Sequence, residues 1–390
     1  MVIKNNTGSP VEGSNFFGRE KELKLAWEML EDGNSLILAA PRRIGKTSFS
    51  KKMLEKAEDE GWTAIYIDLE GIQTEEAFVK RFTEDLINKN LFDRTFDKAK
   101  SFFDYVASSV KPTITAGGIE VSIEWKTQKN DIYEKLKETI RPEKETLIVI
   151  DELAIFLTYM LNGELKNISD VMFFLNWLRS LRQLKESKIR WIFCSSIGIE
   201  NFLSIYSLSN TMNDVNSFPL DELKGNEPKE LIQALCESKN IDISEEQIDY
   251  IIEKLGWTLP YFIQILFAEI YSSIRINDDA MSTNLIDKAY SNLINQKHFN
   301  TWDERLKEYS ELEEPIRIIL KRLCQIPEGA RRPNLHTILN VKIENSDESD
   351  EVLSKILRIL INDGYILEQD RIYGFRSPLL RDFWYNRYVQ

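Results

Sequence analysis

The chain has 390 residues, 43% of them hydrophobic and 29% charged, which suits two or three domains of an ordinary globular protein. A net charge of −13 gives no general attraction to nucleic acid or anionic membrane. No uncharged apolar run is long enough to span a bilayer, and residues 1–14 lack a signal-like apolar core.

Cys194, Cys236 and Cys324 are widely spaced among apolar residues. They read as buried, reduced thiols of a cytoplasmic protein, not as a disulfide framework or metal site. With only His298 and His336 present, neither a histidine metal centre nor Ser-His-Asp chemistry is expected.

After a polar lead-in, Phe16, Phe17, Gly18, Arg19 and Glu20 open a helical pattern through Leu23, Leu25, Trp27 and Leu30, closed by Gly33 and Asn34. The Phe17-Gly18-Arg19 turn is placed either to cover an adenine base or to staple a helix entry. An apolar strand at 35–39 follows, then Ala40, Pro41, Arg42, Arg43, Ile44, Gly45, Lys46, Thr47 and Ser48, and then helical spacing through Phe49, Met53, Leu54 and Ala57. Strand, loop and helix in this order make a phosphate-binding loop. Its backbone N–H groups and the helix N-terminus face anionic oxygens, Lys46 reaches the β- and γ-phosphates, and the Thr47 hydroxyl ligates Mg²⁺. Ala40 stands where the motif has its first glycine.

A second strand is expected at 62–69, with helices over 75–88 and 96–110. Residues 113–125 alternate about Gly117-Gly118 and predict a hairpin inserted into the domain, followed by a helix at 131–140. The run 146–150 is continuously apolar, as a strand buried on both faces requires, and ends in Asp151 and Glu152. Asp151 at such a strand end is suited to hold Mg²⁺ through water, and Glu152 to polarise the water that attacks the γ-phosphate. An amphipathic helix at 171–184 carries Arg179 and Arg182, which read as an arginine finger or as a solvated helix face. The strand 189–194 ends in Ser195 and Ser196, suited to orient the attacking water or to start a turn before Gly198. Residues 216–220 make a short last strand.

From Asp221 onward four helices are expected, at 227–236, 244–255, 260–274 and 284–294. Pro260 fits a first helical turn. The turn Gly256, Trp257, Thr258, Leu259 before it either closes on a base or forms a helix corner. Helices at 311–323, 335–339 and 350–360 and a hairpin at 364–375 then give a winged-helix pattern. Its third helix opens with Asp347, Glu348, Asp350 and Glu351, which argues against DNA and for contact with protein or with the chain itself.

Taken together, Phe17 to Glu20, Ala40 to Ser48, Leu147 to Glu152, Ser195-Ser196, Gly256-Trp257 with Pro260-Tyr261, and the tail from Gly364-Tyr365 to Pro378 resemble the archaeal-type P-loop ATPases. Those are relatives of the STAND signalling ATPases and, distantly, of origin-recognition initiators. The resemblance implies an α/β P-loop NTPase (AAA-like) parallel-sheet core at 1–220, a helical lid at 221–300 and a winged-helix domain at 301–390. It implies ATP, ADP and Mg²⁺ as ligands, with Lys46 and Thr47 on phosphate and metal, Asp151 and Glu152 as metal and water acids, and Pro260 in the lid motif that senses nucleotide. The lid helix has no arginine near its start; Arg275 is at its far end. That favours a slowly hydrolysing switch controlling self-assembly or a protein partner. The alternative is a DNA-acting ATPase that uses its winged helix as a clamp.

Overall fold

A computed structural model of the chain describes residues 3–89, 91, 110–115, 118–123, 125–162, 167–184, 187–195, 198–341 and 346–390. These residues form two units. One comprises Glu20–Ala39 and Phe49–Pro219; the other comprises Met1–Arg19, Ala40–Ser48 and Leu220–Gln390.

The first unit opens with α1 (Glu20–Glu31), whose Ala26, Trp27 and Leu30 are buried at helical spacing. It continues through β1 (Leu36–Ala39), most of α2 (Lys46–Asp59), β2 (Thr63–Asp68) and α3 (Glu75–Asn88). The Thr74 hydroxyl caps α3 by accepting from the Ala77 N–H. The inserted hairpin is present as β3 (Val110–Thr115) antiparallel to β4 (Gly118–Ile123), a two-stranded sheet of its own. It ends two residues earlier than expected, because Trp125 already starts α4 (Trp125–Thr139). The polar stretch 126–130 supplies good helix formers, Lys126, Gln128 and Lys129, so the helix begins ahead of the expected 131. The helix expected at 96–110 falls outside the described residues, apart from Val110 in β3.

β5 (Thr146–Asp151) is buried at all six positions, which explains why Leu147, Ile148, Val149 and Ile150 are apolar without alternation. It is followed by α5 (Leu153–Asn162), α6 (Ile168–Arg182), β6 (Ile189–Phe193), α7 (Ile199–Ile205) and β7 (Asn216–Pro219). The main sheet is parallel throughout, in the order β2-β5-β6-β1-β7. Phe78, Phe82, Phe156, Phe174, Trp177 and Trp191 pack as one aromatic cluster of its core. Each such side chain contributes about 1.5–3 kcal/mol by leaving water.

The second unit is helical up to residue 323. Its helices are α8 (Glu227–Glu237), α9 (Glu245–Leu255), α10 (Pro260–Asn277), α11 (Thr283–Ile294), the short α12 (Asn300–Glu304) and α13 (Glu313–Leu323). Sequence dictates the α9–α10 corner closely. Ser244 and Gln247 make a reciprocal capping box at the start of α9, Gly256 ends it in the left-handed conformation, and Pro260 occupies the first turn of α10. Then come β8 (Ala330–Arg331), α14 (Arg332–Asn340), α15 (Ser346–Asn362), β9 (Ile366–Gln369), β10 (Ile372–Phe375) and α16 (Pro378–Tyr388). The three strands form an antiparallel sheet in the order β8-β10-β9.

α16 is tied to the four-helix part of this unit. A Cβ on Gly256 would lie 2.5 Å from Pro378, the Ser377 hydroxyl donates to Leu255 O at 3.2 Å, and Tyr290 Oη donates to Asp382 at 2.8 Å. Trp302 packs edge-on to both Trp257 and Tyr365. The three cysteines are free and buried, and burial pushes the Cys236 and Cys324 thiols up to about 11. Among the described residues, no helix is long and apolar enough to cross a membrane.

Candidate functional site

At the carboxyl edge of the first unit's sheet, Asp68 lies beside Asp151 in register, and β6 runs out into Cys194 and Ser195. Asp151 is only 4% exposed. Tyr66 Oη donates to its Oδ2 at 2.8 Å, and the Glu152 backbone N–H donates to its Oδ1 at 2.9 Å. Glu152 takes a left-handed backbone, φ +58°, as the chain leaves β5 for α5. That conformation costs a non-glycine residue about 1 kcal/mol or more. The Ser195 hydroxyl donates to Glu152 Oε2 at 3.1 Å. Asp151, Glu152 and Ser195 are therefore brought together, with Ser195 fixing the glutamate. Ser196 falls outside the described residues.

In the second unit, loop 40–48 is held on several sides. Lys46 is 7% exposed, and its ammonium donates to the carbonyls of Ala40 at 2.6 Å and Pro41 at 2.8 Å. Arg43 (φ +64°) and Gly45 (φ +103°) take left-handed backbones that turn the loop. Ala40 does not, so the methyl that replaces the motif's first glycine adds no backbone strain. The Ser48 hydroxyl accepts from the Val11 N–H at 2.9 Å.

The Phe17-Gly18-Arg19 turn braces this loop. Buried Arg19 donates through Nη2 to Ile44 O at 3.0 Å and to Asp221 O at 2.8 Å, and its backbone N–H donates to Glu227 Oε1 at 2.8 Å. The backbone conformation of Gly18 favours glycine. Its φ is +67°, and a Cβ there would sit 2.8 Å from Glu227 Oε1.

Pro260 starts α10, and the next residue, Tyr261, lies under the Arg43 guanidinium at 4.5 Å from its ring centre. Tyr261 Oη is 3.2 Å from His298 Nδ1. Burial raises the Tyr261 hydroxyl above its usual pKa, with Arg43 and Arg42 pulling the other way. Trp257 is buried between Phe262 and Trp302 under the Arg376 guanidinium, so its ring forms the helix corner and does not reach out over a base.

Arg182, expected as an arginine finger or a solvated helix face, is buried here. Its side chain is 2% exposed and grips Asp214 through two bonds of 2.8 Å, with a third to Thr211 O at 2.9 Å. Arg179 donates to Asn210 O at 2.7 Å beside it.

Tyr66 was not singled out by sequence. Its signal is the alternation of β2 combined with strand order: Tyr66 pairs with Val149, which puts it on the face of Asp151, two residues further along. Strand order is not visible in the sequence.

Residues 16–262 match the model of an ATPase domain predominantly from Archaea. The chain belongs to this family. No curated protein sequence matches it significantly. A Walker-type ATPase of Pyrococcus abyssi has the same fold, at a TM-score of 0.60 and 15% identity over 97% of this chain and 99% of that one. The ORC2 protein of Aeropyrum pernix, solved with ADPNP and ADP, aligns at 0.49 and 13% identity over 96% of both chains. The Holliday junction branch migration motor RuvB of Thermotoga maritima aligns at 0.43 and 16% over 93% of both. The archaeal-type ATPase described here is thus a P-loop NTPase with a parallel five-stranded sheet.

Proposed function

We propose that this archaeal-type ATPase binds ATP with Mg²⁺, hydrolyses it slowly and works as a conformational switch for assembly or for a protein partner. One observation carries the reading. Phosphate-loop residues pack directly on the lid and on the C-terminal segment: Arg43 on Tyr261, and Pro41 on Gly364. A change in the loop between ATP and ADP is then felt where a partner would dock.

In this reading Lys46 takes the phosphates, Thr47 and Asp151 hold Mg²⁺, and Glu152, oriented by Ser195, polarises the attacking water. The donors suit the ion. A hydroxyl and one carboxylate are hard oxygen ligands, and magnesium completes its shell with phosphates and water. The domains are taken as 1–220, 221–300 and a winged helix at 301–390. Slow turnover is supported by the start of α10, where there is no arginine, and by the burial of Arg182. The acids in the first turn of α15 favour the helix N-terminus they sit on and count against a DNA clamp.

Size-exclusion chromatography with light scattering in ATP, a non-hydrolysable analogue and ADP tests the switch. A nucleotide-dependent change in mass or shape, lost in Lys46→Ala, is expected. Absence of Mg-ATP binding, or a Lys46→Ala protein that behaves as wild type, overturns the reading.

A further inference from the structure

We infer that Tyr66 is a positioning residue that sets how Asp151 engages Mg²⁺. The inference rests on the ATPase reading above and deepens it. Tyr66 comes from β2, outside the phosphate loop and outside the Asp-Glu pair. Parallel pairing with β5 sets it opposite Val149 and on the Asp151 face. From there Oη reaches Oδ2 at 2.8 Å, while the Glu152 N–H holds Oδ1 at 2.9 Å. With a donor on each oxygen, the plane of the carboxylate is fixed.

The tyrosine can serve only as a donor here. Its hydroxyl faces Oδ2, and a carboxylate oxygen can only accept. The Lys51 ammonium stands 5.2 Å from the ring centre and adds a contact to the ring that does not involve the hydroxyl. A donor that orients a ligating or water-bridged carboxylate governs metal affinity even though it never touches the metal, and its loss costs about 10–100-fold.

Tyr66→Phe removes one oxygen and keeps the ring, so the fold is expected to survive, as a melting curve will show. The measurement is Mg²⁺ titration of the binding of a fluorescent N-methylanthraniloyl-ATP, with Mn²⁺ binding followed by electron paramagnetic resonance in the presence of ATP. We expect Tyr66→Phe to need about tenfold more Mg²⁺ for half-saturation, with nucleotide affinity in EDTA unchanged. Lys51→Met, which keeps the hydroxyl, should titrate as wild type. A Tyr66→Phe protein with the wild-type metal requirement overturns the assignment, and so does an equal loss in Lys51→Met. If the wild type itself shows no Mg²⁺-dependent nucleotide binding, it is the ATPase reading that fails.

Discussion

Gly364 presses against Pro41: a Cβ on the glycine would lie 2.5 Å from the proline Cβ and 2.8 Å from Trp257 Cη2. Its φ of +80° would strain any L side chain even in open space. A residue of the α15–β9 turn and a residue of the phosphate loop are thus in direct contact.

Gly364→Ala should therefore cost about 1–3 kcal/mol of stability and shift nucleotide affinity at the same time. Urea unfolding together with nucleotide titration checks both. Arg42 lies close enough to Glu308 and Tyr365 to bias their charge states, so the disturbance should spread beyond the glycine. A variant that loses stability yet binds nucleotide as wild type would show that the contact is structural only.

Ser195→Ala removes the donor on Glu152 Oε2 without touching the loop. Misplacing a reacting group by about 1 Å can cost about 100-fold in rate. We expect kcat to fall by about 10–100-fold with little change in nucleotide affinity, and Glu152→Gln to fall further. Phosphate-release assays alongside equilibrium binding separate the two effects.

The Arg182–Asp214 pair predicts a pH dependence of stability. Burial works to raise the Asp214 carboxyl, but the Arg182 guanidinium outweighs it and holds the carboxyl below its usual range. A depressed acid stabilises the fold above its unfolded pKa, about 4, and this is lost as pH falls through the lower folded value. Asp214→Asn leaves the buried guanidinium without its counter-charge and should cost about 3 kcal/mol at pH 7. Urea unfolding at pH 7 and below pH 4 should show the wild-type advantage shrinking in acid.

Local chemistry made much of the architecture legible in the sequence. An apolar run ending in Asp151 and Glu152 has the pattern of a strand buried on both faces, and Ser244, Gln247, Gly256 and Pro260 spell out a helix corner by their caps. What stayed hidden depends on partners distant in the chain. Periodicity placed Arg182 on a helix, but the acid that buries it lies 32 positions on, in a turn. Tyr66 needed strand order, and the role of Gly364 needed the position of Pro41. The surroundings of Trp257 were hidden in the same way, because the aromatic cluster that encloses it is assembled from Phe262 and Trp302.

The segments that surround the phosphate loop are made far apart in time during translation. Arg19 and the loop leave the ribosome early, whereas Tyr261 and Gly364 follow much later. At about 5–20 residues per second, the interval between Pro41 and Gly364 lasts about 15–60 s. A nascent chain carries its loop without the Gly364 contact for that time, so full competence for nucleotide should arrive only after Gly364 has been made.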